Sequence, residues 1–149
     1  MPTVIKSDRI DLSSEKKTEE FASKFLKKIK PGYSIFLYGE IGVGKTTFIR
    51  YLINKFQKIN KLEITEVTSP TFNLLNEYQI NEFKINHYDL FRLKSVEETK
   101  NLNLFDDSKN TINLIEWPQM VKEKPKNLIE LVFEYGKDHK TRFVQIKGL

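Results

Sequence analysis

The residues Gly39-Glu40-Ile41-Gly42-Val43-Gly44-Lys45-Thr46 fit the pattern G-x-x-x-x-G-K-[ST] at every fixed position. This pattern does one kind of chemistry. A polyphosphate carries several negative charges, and backbone N–H groups cradle it only where side chains stay clear. Gly42 and Gly44 allow that approach. Lys45 brings an ammonium to the outer phosphates, and the Thr46 hydroxyl is in place for magnesium. Ile41, Val43 and Thr47 belong to the same phosphate-binding loop (P-loop). Guanine-specific sites of this kind usually carry N-K-x-D on a late strand. The near miss Asn60-Lys61-Leu62-Glu63 has Glu for Asp and follows the loop too closely. ATP is therefore the expected nucleotide.

A phosphate loop needs a buried strand before it and a helix after it. Ser34–Tyr38 is a continuous apolar run, as in a fully buried strand. From Lys45 to Phe56 the residues Phe48, Ile49, Leu52, Ile53 and Phe56 recur at helical spacing and predict an amphipathic helix. Its positive end would face the phosphates. Upstream, Ser13 or Ser14 caps an expected helix with Glu15 in its first turn; Phe21, Ala22, Phe25, Leu26 and Ile29 form its apolar face, and Pro31-Gly32 stops it. Downstream, Phe72–Tyr78 and Phe83–Asp89 read as paired strands, Ser95–Asn101 as a short helix and Thr111–Glu116 as another buried strand. Leu128–Tyr135 and Thr141–Ile146 read as a hairpin turning at Gly136-Lys137-Asp138. The class is α/β.

A P-loop ATPase also requires an acidic side chain on a neighbouring buried strand. Glu116 and Asp89 each end such a strand, although each position also suits a surface carboxylate. His87 reads as a hydrogen-bonded structural histidine rather than a catalyst, and Trp117 as packing beside the site. Arg92 suits either a phosphate cation or a salt bridge, and Ser69-Pro70-Thr71-Phe72 a turn into a strand.

The chain has 149 residues with 39% hydrophobic content, enough for a single domain over 1–149 with one core. It has no cysteine, which excludes disulfides, zinc–thiolate sites and a Cys nucleophile. No apolar run approaches a membrane span, and Met1–Lys6 lacks the apolar region of a signal peptide, so a cytoplasmic protein is expected. The formal net charge of +5 suits an RNA or acidic partner, but 21 of the 25 basic residues are Lys, and the chain is rich in Ile and Asn. That combination favours AT-rich coding over phosphate readout, for which Arg is the better residue.

Taken together, Leu37–Thr47, Ser69-Pro70-Thr71-Phe72, His87-Tyr88-Asp89-Leu90-Phe91-Arg92-Leu93 and Ile115-Glu116-Trp117-Pro118 resemble the TsaE family in order and spacing, over nearly the whole chain. Phe91 stands where the family usually has Tyr. The resemblance implies a variant P-loop NTPase fold, a mixed sheet with a parallel core and antiparallel strands flanked by helices. It implies that Lys45 binds phosphate, that Thr46 and Glu116 hold Mg2+, and that Asp89 lies at the γ-phosphate as base or water-orienting group. It further implies that Ser69–Phe72 acts as a switch-like loop, and that Glu15 and Gln119 border the nucleotide. The partners implied are TsaD and TsaB, which modify the adenosine beside the tRNA anticodon. Contact with tRNA would be indirect, with no DNA or membrane partner. Two other classes share the loop: a small-molecule kinase, which needs an acceptor pocket and usually an Arg-bearing lid, and a nucleotide-gated binding module without turnover.

Overall fold

The computed structural model describes residues 9–70, 72–106 and 108–148. Met1–Lys6 and Thr71 lie outside them. The chain runs β1 (Ile10–Asp11), α1 (Glu15–Phe25), β2 (Tyr33–Tyr38), α2 (Lys45–Ile59), β3 (Leu75–Ile80), β4 (Phe83–Asp89), α3 (Val96–Lys100), β5 (Thr111–Glu116), β6 (Asn127–Tyr135) and β7 (Arg142–Lys147). One seven-stranded sheet results, in the order β1-β7-β6-β2-β5-β4-β3. The four central strands β6, β2, β5 and β4 pair in parallel. β3, β7 and β1 pair antiparallel at the margins. This is the expected mixed sheet. Its central strand β5 is buried at every residue, as a parallel strand covered on both faces must be.

Side chains alternate between the two faces. Ile35 and Leu37 of β2, Ile112 and Leu114 of β5 and Ile85 of β4 pack with Phe48, Ile49, Leu52 and Ile53 of α2. Phe36, Tyr88 and Ile115 pack on the opposite face with Leu90, Leu104 and Val121. Continuing the alternation, Glu116 and Asp89 fall on the α2 face. Glu116 is the register partner of Asp89 on one side and of Leu37 on the other. The sheet therefore delivers both carboxylates to the end of β2, where the phosphate loop begins.

Several boundaries differ from the sequence expectations. β3 begins at Leu75 rather than Phe72, because Leu74 takes a positive φ of 67° and its N–H closes a turn onto Pro70 O at 2.8 Å. α1 ends at Phe25 and continues as a 3-10 turn over Leu26–Lys28. α2 extends to Ile59, where the Asn60 side chain donates to Phe56 O at 2.8 Å. Ser14 is the cap of α1, accepting from Lys17 N at 3.2 Å. The short β1 was not anticipated.

The two helices are joined to the sheet through aromatic rings. Phe48 lies 5.3 Å from Phe21, 5.7 Å from Phe25 and 5.8 Å from Phe133, centroid to centroid. It is fully buried. Phe48→Ala should cost about 3–5 kcal/mol, a large part of the stability of an ordinary domain. Urea denaturation reads this directly: a large drop in midpoint at unchanged slope is expected, and an unmoved midpoint would contradict the packing.

Candidate nucleotide site

The loop from Gly39 to Gly44 leaves β2 under tight constraint. A Cβ on Gly39 would lie 2.9 Å from both Phe133 O and Val43 Cγ1, and its φ is +149°. Only glycine fits between the loop and β6. Gly44, with φ +114°, occupies the N-cap of α2 and supplies no side-chain cap. The first-turn N–H groups of a 15-residue helix are thus left to whatever acceptor enters the loop.

Lys45 opens α2 and is 4% exposed. Its ammonium donates to Gly39 O and sits 3.8 Å from the centroid of the Trp117 ring. Burial lowers its pKa; the nearby Glu116 and Asp89 carboxylates work in the opposite direction. Trp117 takes a positive φ of 59° as the chain leaves β5 for the turn at Pro118–Met120. Its indole also meets Phe91 at 4.8 Å. The tryptophan expected to pack beside the site is therefore the lid under the lysine.

The two carboxylates are held by different partners. Asp89 accepts from Ser69 Oγ at 3.0 Å and from the Phe91 N–H at 3.0 Å. Glu116 lies 3.3 Å from Thr46 Oγ1 through both oxygens, and its Oε2 is 2.6 Å from His87 Nε2. Arg92 does not pair with Asp89. It donates to Phe72 O at 2.6 Å, so its charge is spent on the backbone there instead.

Lys45, Thr46, Asp89 and Glu116 line one cavity of about 370 Å³, together with Ile41, Gly42, Gly44, Thr47, Ser69, Phe91, Trp117 and Arg142. A neighbouring cavity of about 280 Å³ includes Glu15, Val43, Ser14 and Lys140 and shares Gly44, Thr47 and Arg142 with the first. The sequence-predicted residues thus converge, with Glu15 one cavity away. Its carboxylate is held there by Arg50 at 2.9 Å and Tyr51 at 2.8 Å. Gln119 is exposed on the turn after Trp117 and lines neither cavity.

The residue that sequence reasoning missed is Arg142. It starts β7, where its N–H bonds Ser13 Oγ at 3.0 Å and its carbonyl accepts from Leu12 N–H at 2.8 Å. Its guanidinium lies 5.7 Å from the Tyr135 ring and within reach of Gly44. No motif marks it, because an edge-hairpin Arg acquires its place only through the sheet.

An oxygen-only pair, the Thr46 hydroxyl and the Glu116 carboxylate, fits a hard divalent cation that keeps most of its waters. No helix among the described residues is long and apolar enough to cross a membrane.

Comparison with known proteins gives the family. The family model described as threonylcarbamoyl adenosine biosynthesis protein TsaE matches residues 12–144. A Rickettsia bellii protein described as tRNA threonylcarbamoyladenosine biosynthesis protein TsaE is 42% identical over 130 residues, spanning 87% of this chain and 88% of that one. Proteins of the same description from Borreliella burgdorferi and Nostoc sp. are 37% and 31% identical, over 74% and 90% of this chain and 78% and 82% of theirs. The crystal structure of Bacillus subtilis YdiB superposes with a TM-score of 0.68 at 19% identity, covering 95% of this chain and 85% of YdiB, which shows the shared fold. The chain belongs to the TsaE family of tRNA threonylcarbamoyladenosine biosynthesis.

Proposed function

We propose that this protein is a magnesium-dependent ATPase supporting threonylcarbamoylation of the adenosine beside the tRNA anticodon, a transfer carried out by TsaD and TsaB. The observation that carries the reading is the convergence of Lys45, Thr46, Asp89 and Glu116 on one cavity at the mouth of the glycine loop. Lys45 and the free amides of α2 bind the outer phosphates. Thr46 and Glu116 would hold Mg2+, which supplies charge neutralisation on the phosphate oxygens when bound. Asp89, tied through Ser69 and Phe91 N, orients the attacking water. Arg142 offers a second cation to the same phosphates. The chain does not itself modify the tRNA, and it meets tRNA through its partners.

Binding must move Lys45 from the Trp117 face to the phosphates. Trp117 is the only tryptophan, so its emission reports that movement. ATP with magnesium should change the emission saturably. Lys45→Ala should alter the spectrum before any ligand is added and then respond little to ATP. A folded Lys45→Ala protein that still binds ATP at full affinity would overturn the assignment.

The carboxylates should separate by role. Asp89→Ala should keep ATP binding and lose turnover, by roughly two orders of magnitude or more if it positions the water. Glu116→Ala should also raise the magnesium needed for binding. Full turnover in both variants would refute the site.

Partner control is the remaining element. Phe72 is 83% exposed, while its carbonyl is held by Arg92 and Ser69 nearby holds Asp89. A partner that docks on this segment acts on Asp89 through it. The TsaD–TsaB pair should raise steady-state turnover at least about tenfold, about 1.4 kcal/mol of barrier. Phe72→Ala should leave the lone chain's rate unchanged and lose the stimulation. An equal rate with and without the pair would rule out this control.

A further inference from the structure

Behind the site lies a buried side-chain contact that the roles above leave unexplained. His87 is 0% exposed and Glu116 is 2% exposed. Their contact, at 2.6 Å, is the shortest polar link Glu116 makes among the described residues. His87 stands two residues before Asp89 on β4, facing Leu114 of β5 in register. Its ring reaches diagonally toward the strand end, under the carboxylate. Its other nitrogen, Nδ1, is buried without a hydrogen-bond partner.

For a neutral imidazole facing a carboxylate, this pairing assigns the roles of the ring atoms. A carboxylate accepts, so the proton belongs on Nε2. Nδ1 then presents only a lone pair to the interior. An orphaned acceptor of this kind is tolerated better than an orphaned N–H. The ring therefore spends its single donor on Glu116 Oε2. Thr46 Oγ1, in contrast, is 3.3 Å from both oxygens and selects neither.

We propose that His87 is a positioning residue for the metal-facing carboxylate, fixing which Glu116 oxygen faces the cavity. With Oε2 held from behind, Oε1 is the oxygen left to serve a divalent cation or one of its waters. Without His87 the carboxylate is free to rotate about its terminal torsion and to relax toward Lys45. The inference rests on the nucleotide reading above, and magnesium is its ligand. Histidines and carboxylates that support a metal's ligands from behind act in this way: losing one typically costs ten- to a hundredfold in metal affinity.

The test compares two polar replacements of similar size. The amide nitrogen of His87→Gln extends as far as Nε2 and restores the donor. That of His87→Asn stops at the Nδ1 position, short of Glu116. ATP affinity is measured by titration, first in chelator and then across magnesium concentrations. His87→Asn should need at least about tenfold more magnesium for half-maximal enhancement. Its affinity in chelator should be unchanged, and His87→Gln should lie close to wild type. If the Asn and wild-type proteins need the same magnesium, the role is structural only and the proposal fails.

A measurement on the unaltered chain guards against a variant that does not fold. The protein has two histidines, His87 and His139. In 15N-histidine-labelled protein, the His87 Nε2-bound proton should shift when magnesium is added to the ATP complex. An unmoved resonance would overturn the proposal. A wild-type protein whose ATP binding ignores magnesium would instead remove the metal reading itself, and the positioning role with it.

Discussion

Two carboxylates and one ammonium, far apart in the chain, are buried at the lining of one cavity, and the rest of the site is arranged around that fact. Asp89 and Glu116 are register partners on adjacent parallel strands, so the sheet itself forces two negative charges together. Taking each out of water costs several kcal/mol unless hydrogen bonds and an opposite charge compensate. Lys45 is the ammonium that both act on: burial lowers its pKa, and the two anions work in the opposite direction. Each carboxylate also has its own donors: Ser69 and the Phe91 N–H for Asp89, His87 and Thr46 for Glu116. Removing one donor leaves a buried charge short of a partner, which costs more than the bond itself contributes.

The surrounding fold keeps those charges in place. The Leu90 N–H donates to Glu116 O at 3.1 Å and the Trp117 N–H to Leu37 O at 3.3 Å, so the ends of β4, β5 and β2 are tied across their backbones. β6 presses Phe133 against Gly39, and Tyr135 reaches Ile41 O at 3.5 Å. The terminal hairpin thus serves as a wall for the phosphate loop as well as a sheet margin. Its Arg142 enters the cavity for the same reason.

What could be seen in the sequence was whatever is local in the chain. The glycine loop, the apolar runs of β2 and β5 and the 3.6-residue period of α2 each lie within a dozen residues. Asp89 and Glu116 stand out because each ends an expected strand. The missed features are contacts between distant segments. His87 and Glu116 are 29 positions apart, and Tyr135 and Ile41 are 94 apart. No spacing rule marks Arg142, and two residues of β1 are too few to show a period. The late start of β3 follows from the positive φ of Leu74, a conformation that sequence gives little reason to expect of leucine. Gln119 sits beyond a second such residue, Trp117, which turns the chain away from the line of β5.

The charge balance of the cavity explains why a divalent cation belongs with the nucleotide on the proposed reading. Lys45 and Arg142 contribute two formal positive charges, and Asp89 and Glu116 two negative ones. The lining is therefore close to neutral before anything binds. A triphosphate adds several negative charges to a partly desolvated space, beside carboxylates that repel it. The α2 N-terminus offsets only about half a charge. Lys45 can turn from Gly39 O to the phosphates, but it then also leaves Asp89 and Glu116 less well compensated. A cation held by Thr46 and Glu116 would correct both deficits together. It would screen the phosphates and give Glu116 the positive partner that the lysine gives up. On the proposed role of His87, its contact with Oε2 would leave Oε1 of the carboxylate to face that cation. Nucleotide, metal and the movement of Lys45 are on this account one coupled event, and the neutral resting cavity makes each depend on the others.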